Sequence, residues 1–115
     1  MDAIEAIKTR RSVRRYTSEP IADEILEDII DCARLAPTAR NEQPWVFVVI
    51  TDGEVRERLA QEAKKGRFVA DAPACVAVFC RTDAAAPLQD AGAAVENIML
   101  AARAYGLGSC WVNSY

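Results

Sequence analysis

Four arginines and a serine fall within six residues, Arg10-Arg11-Ser12-Val13-Arg14-Arg15. Guanidinium groups are permanently charged and present fixed forks of donors, which suits a phosphate or another planar oxyanion. Read alone, the cluster serves equally as a solvated basic turn. Val13 and the Tyr16-Thr17 pair favour an extended, part-buried segment in which Arg10, Ser12 and Arg14 alternate onto one side, so that side could hold an anion. A second segment, Ala36-Pro37-Thr38-Ala39-Arg40-Asn41-Glu42-Gln43-Pro44-Trp45, carries two amides and exposed backbone between two prolines. Amides and backbone groups held in this way can read the polar edge of a heteroaromatic ring, although the same residues make an ordinary loop. A third, Gly106-Leu107-Gly108-Ser109-Cys110-Trp111-Val112-Asn113-Ser114-Tyr115, places its G-x-G after a helix and before a strand. That order is the reverse of a dinucleotide-binding fingerprint and excludes a Rossmann reading.

Composition removes other chemistries. The 115 residues include no histidine, which excludes Ser-His-Asp and Cys-His catalysis, His-ligated zinc and His-ligated haem. Any chemistry therefore belongs to a cofactor or to carboxylates. The formal charge of -3 gives no global attraction to nucleic acid or to an anionic membrane. Cys32, Cys75, Cys80 and Cys110 form no C-x-x-C pair, and three lie in apolar runs, so buried structural thiols of a reducing compartment are expected. The N-terminus lacks the pattern of a signal peptide and no apolar stretch reaches membrane-spanning length, so a cytoplasmic protein is expected.

The elements that must position these segments follow from periodicity. Asp2 and Glu5 form a D-x-x-E cap, with Ile4 and Ile7 behind it, predicting a helix to about Arg10. Ile25, Leu26, Ile29, Ile30 and Ala33 form an apolar stripe over 23–35, a second helix stopped by Pro37. Trp45 to Thr51 is a continuous β-branched and aromatic run, expected as a central strand covered on both faces. Val55, Leu59 and Ala63 predict a third helix, Lys64-Lys65-Gly66-Arg67-Phe68 its solvated end, and Ala74 to Cys80 a second buried strand. From Leu88 to Tyr105 the pattern is apolar almost all round, so this helix must be buried, with a partner subunit as the expected cover. Ser109 to Val112 reads as the start of a third strand. Ending there, the chain is expected to be a single domain, 1–115, cut from a longer polypeptide. Strands alternating with helices give an α+β or α/β layer fold.

In this order and at this spacing, the three segments closely resemble the nitroreductase family of flavin mononucleotide oxidoreductases. The residues that carry the likeness are K-x-R-R-S-V-R-R-Y, A-P-T-A-R-N-E-Q-P-W-V-F and A-A-x-A-Y-G-L-G-S-C-W-V-N, which together span nearly the whole chain. The resemblance implies an α+β sandwich with a central sheet flanked by helices, forming a homodimer with FMN at the subunit interface. It implies an enzyme that draws electrons from NADH or NADPH and passes them through the flavin to a small acceptor such as a nitroaromatic or quinone. By the same resemblance Arg10 and Ser12 hold the phosphate and ribityl chain, with Arg11 nearby, and Arg14 approaches the pyrimidine side of the ring. A permanent cation there suits the negative charge that develops around N1 and the C2 carbonyl on reduction. Pro37, Thr38, Ala39 and Asn41, with Gln43 beside them, match the segment that reaches over from the other subunit. Trp111, Val112, Asn113 and Ser114 match the stretch that passes the flavin, where a backbone N–H is expected to meet N5. No catalytic side chain is implied beyond the tuning role of Arg14. Members continue for some tens of residues past this block, supplying a further basic clamp and an arm around the partner. Reductive dehalogenation and flavin-dependent dehydrogenation compete on the same fold, since substrate choice lies in variable loops. A non-catalytic flavin- or nucleotide-binding module and a thiol or metal-binding protein are the alternatives of other classes.

Overall fold

Asp2 accepts a hydrogen bond from the Glu5 amide at 2.8 Å and opens the first helix, α1 (Ala3–Thr9), as its capping pattern requires. The computed structural model describes residues 1–113. It continues through α2 (Asp23–Arg34), β1 (Trp45–Ile50), α3 (Gly53–Glu62), β2 (Cys75–Cys80) and α4 (Pro87–Ala104), with 3₁₀ turns at Ala39–Asn41 and Arg67–Asp71. Helices therefore begin and end close to where the caps, prolines and apolar stripes put them.

The strands β1 and β2 pair antiparallel, from Trp45 opposite Cys80 to Ile50 opposite Cys75. α4 packs against α2, β2 and α1, and α2 also touches β1, so the helices flank the sheet in an α+β arrangement. Leu26, Ile29 and Ala33 of α2 and Ala94, Met99 and Ala102 of α4 are buried. Ala33 and Ala94 are wholly covered, and two such small side chains let a pair of helices approach closely.

Several expectations change. β1 is not covered on both faces: Trp45, Phe47 and Ile50 are half-buried, while Val46, Val48 and Val49 are exposed. From Trp45 to Val48 the strand alternates, as it does where only one side has packing partners in this chain, and the pattern reverses at Val49 and Ile50. Ser109 to Val112 is not a strand among the described residues. It contributes a single parallel bridge, Ser12 to Ser109. The buried position of α3 is Ala60, with Val55 and Leu59 exposed, because α3 turns Arg56 inward to bond main-chain carbonyls.

The 64–68 segment is also more than a solvated helix end. Lys64, Lys65 and Arg67 are exposed, but Gly66 is buried and Phe68 meets the Tyr16 ring at 6.2 Å. A Cβ on Gly66 would come within 2.7 Å of Val112 Cγ1, so this segment and the C-terminal block lie in close contact. All four cysteines are half-buried free thiols, short of the full burial expected. No helix among the described residues is long and apolar enough to cross a membrane.

Candidate functional site

The first and third chemistry-bearing segments meet. Val13 donates its amide to the Ser109 carbonyl at 2.9 Å, forming the bridge between Ser12 and Ser109. Val13 is half-buried, and Ser12 and Arg14 on either side of it are exposed, as alternation along an extended segment requires. The contact depends on Gly108, where a Cβ would stand 2.9 Å from Val13 Cβ. Tyr16 closes the segment by donating its hydroxyl to the Val13 carbonyl.

The charged groups here are not equally available. Arg10 lies 3.8 Å from Glu96 of α4, a long ion pair that leaves donors to spare. Arg11 turns Nη1 back onto the Lys8 and Arg10 carbonyls, at 3.0 and 2.9 Å, and so caps the end of α1. Arg14 makes no hydrogen bond or ion pair among the described residues, and it lines an open cavity of about 470 Å³ with Arg15, Tyr16, Ser18, Arg56 and the 70–73 backbone. Arg56 is committed there, donating to the Ala70 carbonyl at 2.9 Å and to the Ala72 carbonyl. Asp71 also lines the cavity, so its cationic character comes chiefly from Arg14 and Arg15.

The Pro37–Gln43 loop lies elsewhere. Arg40, Asn41 and Gln43 all have left-handed backbone, with φ of 56°, 53° and 50°. Such conformations cost of order 1 kcal/mol or more for a side chain with a Cβ and persist where the surroundings over-determine them. Here two tethers do so. Thr38 Oγ1 accepts the Gln43 amide at 3.1 Å, and the Asp90 carboxylate of α4 accepts the Ala39 amide at 3.2 Å. Asn41 and Gln43 are exposed, and Thr38 and Ala39 half-buried. Among the described residues, no hydrogen bond or ion pair joins this loop to residues 10–14. It is held at the first turns of α4, whereas Arg103 near the far end of α4 donates to Thr9 of α1 at 2.9 Å. Asp90 and Arg103 are separated by about 20 Å of helix at 1.5 Å per residue. Trp111 and Asn113 are exposed and Val112 half-buried; Ser114 lies outside the described residues.

Burial shapes the titration of several groups. Tyr16 is pushed up to about 12 by desolvation first and by nearby Cys110, against the opposing pull of Arg14. Desolvation raises the Cys75 thiol, partly offset by Arg56, and raises Cys80, to which Asp90 adds. Cys32 is raised by burial and by Asp28 and Asp31. These three thiols are thus held protonated at neutral pH and are poor nucleophiles, in line with chemistry that belongs to a cofactor. Sequence reasoning missed Asp90, Asn97, Glu96 and Arg56 as supports of the site. A readable signal existed for the first: a lone acid in the otherwise apolar opening turns of α4.

Comparison with known proteins converges on one family. The model of the nitroreductase family matches residues 7–80 and 60–115. A Methanothermobacter thermautotrophicus protein, provisionally named NADH dehydrogenase/NAD(P)H nitroreductase, is 38% identical over 119 residues; the match covers all of this chain and 62% of that relative. An FMN-dependent nitroreductase of Clostridium difficile superposes with a TM-score of 0.91 at 34% identity, over 96% of this chain and 65% of that one. A Desulfovibrio desulfuricans protein, provisionally called a nitroreductase and crystallised in complex with FMN, gives 0.90 at 37% identity, over 99% and 69%. With the family's model spanning the arginine segment, the left-handed loop and the Gly108 block, the chain belongs to the nitroreductase family.

Proposed function

We propose that residues 1–115 act as one flavin-binding domain of an FMN-dependent NAD(P)H oxidoreductase, with two composite sites per homodimer. The observation that carries this reading is the bridge between Ser12 and Ser109, which joins the arginine segment to the C-terminal block, while Arg14 of the same segment lines an open cavity. This donor set fits FMN: charged forks for a phosphate, a hydroxyl for the ribityl chain, and a guanidinium with no competing partner among the described residues for the electron-poor ring. Bound there, FMN would accept hydride from NADH or NADPH and deliver two electrons to a small acceptor such as a nitroaromatic or quinone.

The chain's own residues then divide the work. Arg10 and Ser12 take the phosphate and ribityl end, while Arg11, committed to the end of α1, adds charge more than direct bonds. Arg14 sets a permanent cation at the pyrimidine edge. The 111–113 backbone would pass the ring and offer an N–H to N5. The separation of the Pro37–Gln43 loop from Arg10–Arg14 supports a site completed by the loop of a second copy, which would bring Asn41 to the ring. Large exposed apolar side chains support the dimer: Ile4, Ile7, Val46, Phe79 and Leu88 are all more than half exposed, surface that a second copy could cover.

The test uses the full-length protein. A flavin absorption band that bleaches anaerobically with NADH or NADPH is expected, and Arg14→Ala should lower the midpoint potential of the bound flavin. A band that persists with either reductant would leave a binding module in place of an enzyme. An unchanged potential would remove Arg14 from the ring. For the composite site, Arg14→Ala and Asn41→Ala chains are refolded together. With random pairing about half the dimers are mixed, and each mixed dimer carries one intact site, so roughly a quarter of sites should recover. Recovery no greater than that of the two impaired homodimers would place both residues in one chain's site.

A further inference from the structure

Asp90 is 4% exposed, and α4 carries it where an ionised side chain is costly to desolvate. Its Oδ1 accepts the Ala39 amide at 3.2 Å, and its Oδ2 has no hydrogen-bond partner among the described residues. The first turn of α4 favours an anion there through its free amides, which accounts for how the group is tolerated and not for why it is present. Asn97, two turns along the same face, donates Nδ2 to the Cys32 carbonyl at 2.9 Å. Between them lies Ala94, with no exposed surface. One stripe of α4 thus binds the chain on both sides of Pro37, taking a carbonyl at the end of α2 and an amide at the start of the 3₁₀ turn.

We propose that Asp90 is the positioning residue of the cofactor loop: by holding the Ala39 amide it fixes the left-handed backbone at Arg40, Asn41 and Gln43 and so presents Asn41 to the flavin ring. The inference rests on the flavin reading for its last step only. The anchor needs one acceptor at Oδ1 and makes no use of the second oxygen. Asparagine can therefore replace aspartate at this position in its anchoring role, whereas alanine cannot, and glutamate displaces the acceptor by one methylene while keeping the charge.

The experiment uses full-length protein and reads two quantities. The first, measured without flavin, is hydrogen exchange at the Ala39 amide. Asp90→Ala should speed it about tenfold, the loss of one hydrogen bond, and Asp90→Asn should restore most of the protection. The second is affinity for FMN and for riboflavin. Asp90→Ala should weaken both by the same factor, about tenfold, because the loop serves the ring and not the phosphate, and Asp90→Asn should recover both. If the alanine variant does not fold, Asp90→Glu carries the test: it must lose Ala39 protection and riboflavin affinity where Asp90→Asn keeps them. Unchanged exchange in Asp90→Ala, equal behaviour of Asp90→Asn and Asp90→Glu, or a loss confined to FMN overturns the proposal. If the wild-type protein binds neither flavin, the functional reading fails by itself and so does the last step of this one, while Ala39 exchange still decides whether Asp90 anchors the loop.

Discussion

Two parts of the candidate site are built by opposite means. Where Arg10–Arg14 meets Gly108–Asn113, the joint is made of backbone: an amide to a carbonyl and a valine over a glycine, with none of these residues at positive φ. The Pro37–Gln43 loop is the reverse, with three non-glycine residues at positive φ and two side-chain tethers, one from a residue fifty-one positions away. The first arrangement gives a firm platform on which charged side chains stay free to take up an anion. The second stores strain, as a segment does when it must hold one shape before its ligand arrives. The phosphate end should thus be governed by charge and the ring end by loop geometry.

The strongest way to break that division is Arg10→Ala. It should weaken FMN by about 1.5–3 kcal/mol, the usual worth of a hydrogen bond to a charged group, and leave riboflavin nearly unchanged. Titration of apoprotein by flavin fluorescence measures both. Equal losses would place Arg10 against the ring and dissolve the contrast between the two ends.

The firmness of the platform is tested next by Gly108→Ala. Its Cβ would stand 2.9 Å from both Cβ and Cγ1 of Val13, so the bridge must spread or the valine must move. Overpacking of this kind costs about 1–3 kcal/mol. Urea denaturation should show that loss, and adding Val13→Ala should recover part of it by vacating the space. A double variant less stable than either single one would mean that the glycine is needed for some other reason.

How far the sequence discloses these two regions differs for the same physical reason. The two halves of the joint are legible because each is local, a basic run with a valine at the right alternation and a glycine pair after a helix, whereas their pairing across ninety-seven positions is not. The helices were readable from Asp2, the 25–33 stripe and Pro37, since caps and apolar periods act within a few residues. The loop's position was legible from its prolines and amides, but its left-handed backbone was not, because Arg40 and Gln43 have no intrinsic preference for it. That conformation is held by two tethers, Thr38 within the loop and Asp90 fifty-one positions from Ala39, and nothing in residues 36–45 names the second. β1 misled in the other direction. An unbroken apolar run predicts two covered faces, yet in this chain Val46, Val48 and Val49 remain in the open. Apolarity records that a face is to be covered and does not record by which chain.

A smaller effect sharpens the loop half of the comparison. Gln43 has φ of 50° and precedes Pro44, a site where steric conflict with the proline ring also restricts the backbone. Gln43→Gly removes the left-handed penalty and adds unfolded-state entropy, terms of about 1–2 and 0.4–1 kcal/mol that oppose each other. The expected net is a gain in stability of up to about 1 kcal/mol together with weaker riboflavin binding, since a freer loop must be ordered on binding. Asn41→Gly should gain less, because asparagine tolerates this region better. Denaturation midpoints and riboflavin titrations decide it. A clear loss of stability in Gln43→Gly would mean that the loop is not strained.

The gentlest probe acts on the backbone joint through Tyr16, whose hydroxyl donates to the Val13 carbonyl. Desolvation pushes this phenol up to about 12, while an unfolded tyrosine titrates near 10. Between these values the unfolded chain has released the proton and the folded chain still binds it, so the unfolded state carries fewer protons and stability falls as pH rises. The contribution of Tyr16 is therefore fully present below about pH 10 and is lost as pH climbs through about 12. Tyr16→Phe lacks both the hydrogen bond and the titration. It should be less stable than wild type at pH 8, and the gap should close steadily from pH 10 to 12 as the wild type loses what the variant never had. Groups that do not interact with Tyr16 behave alike in both proteins and cancel in the difference. Urea midpoints of the pair at pH 8 to 12 supply the measurement. A gap that stays constant across that range would mean that Tyr16 is not held neutral by the fold, and no gap at pH 8 would mean that the Val13 joint owes nothing to its hydroxyl.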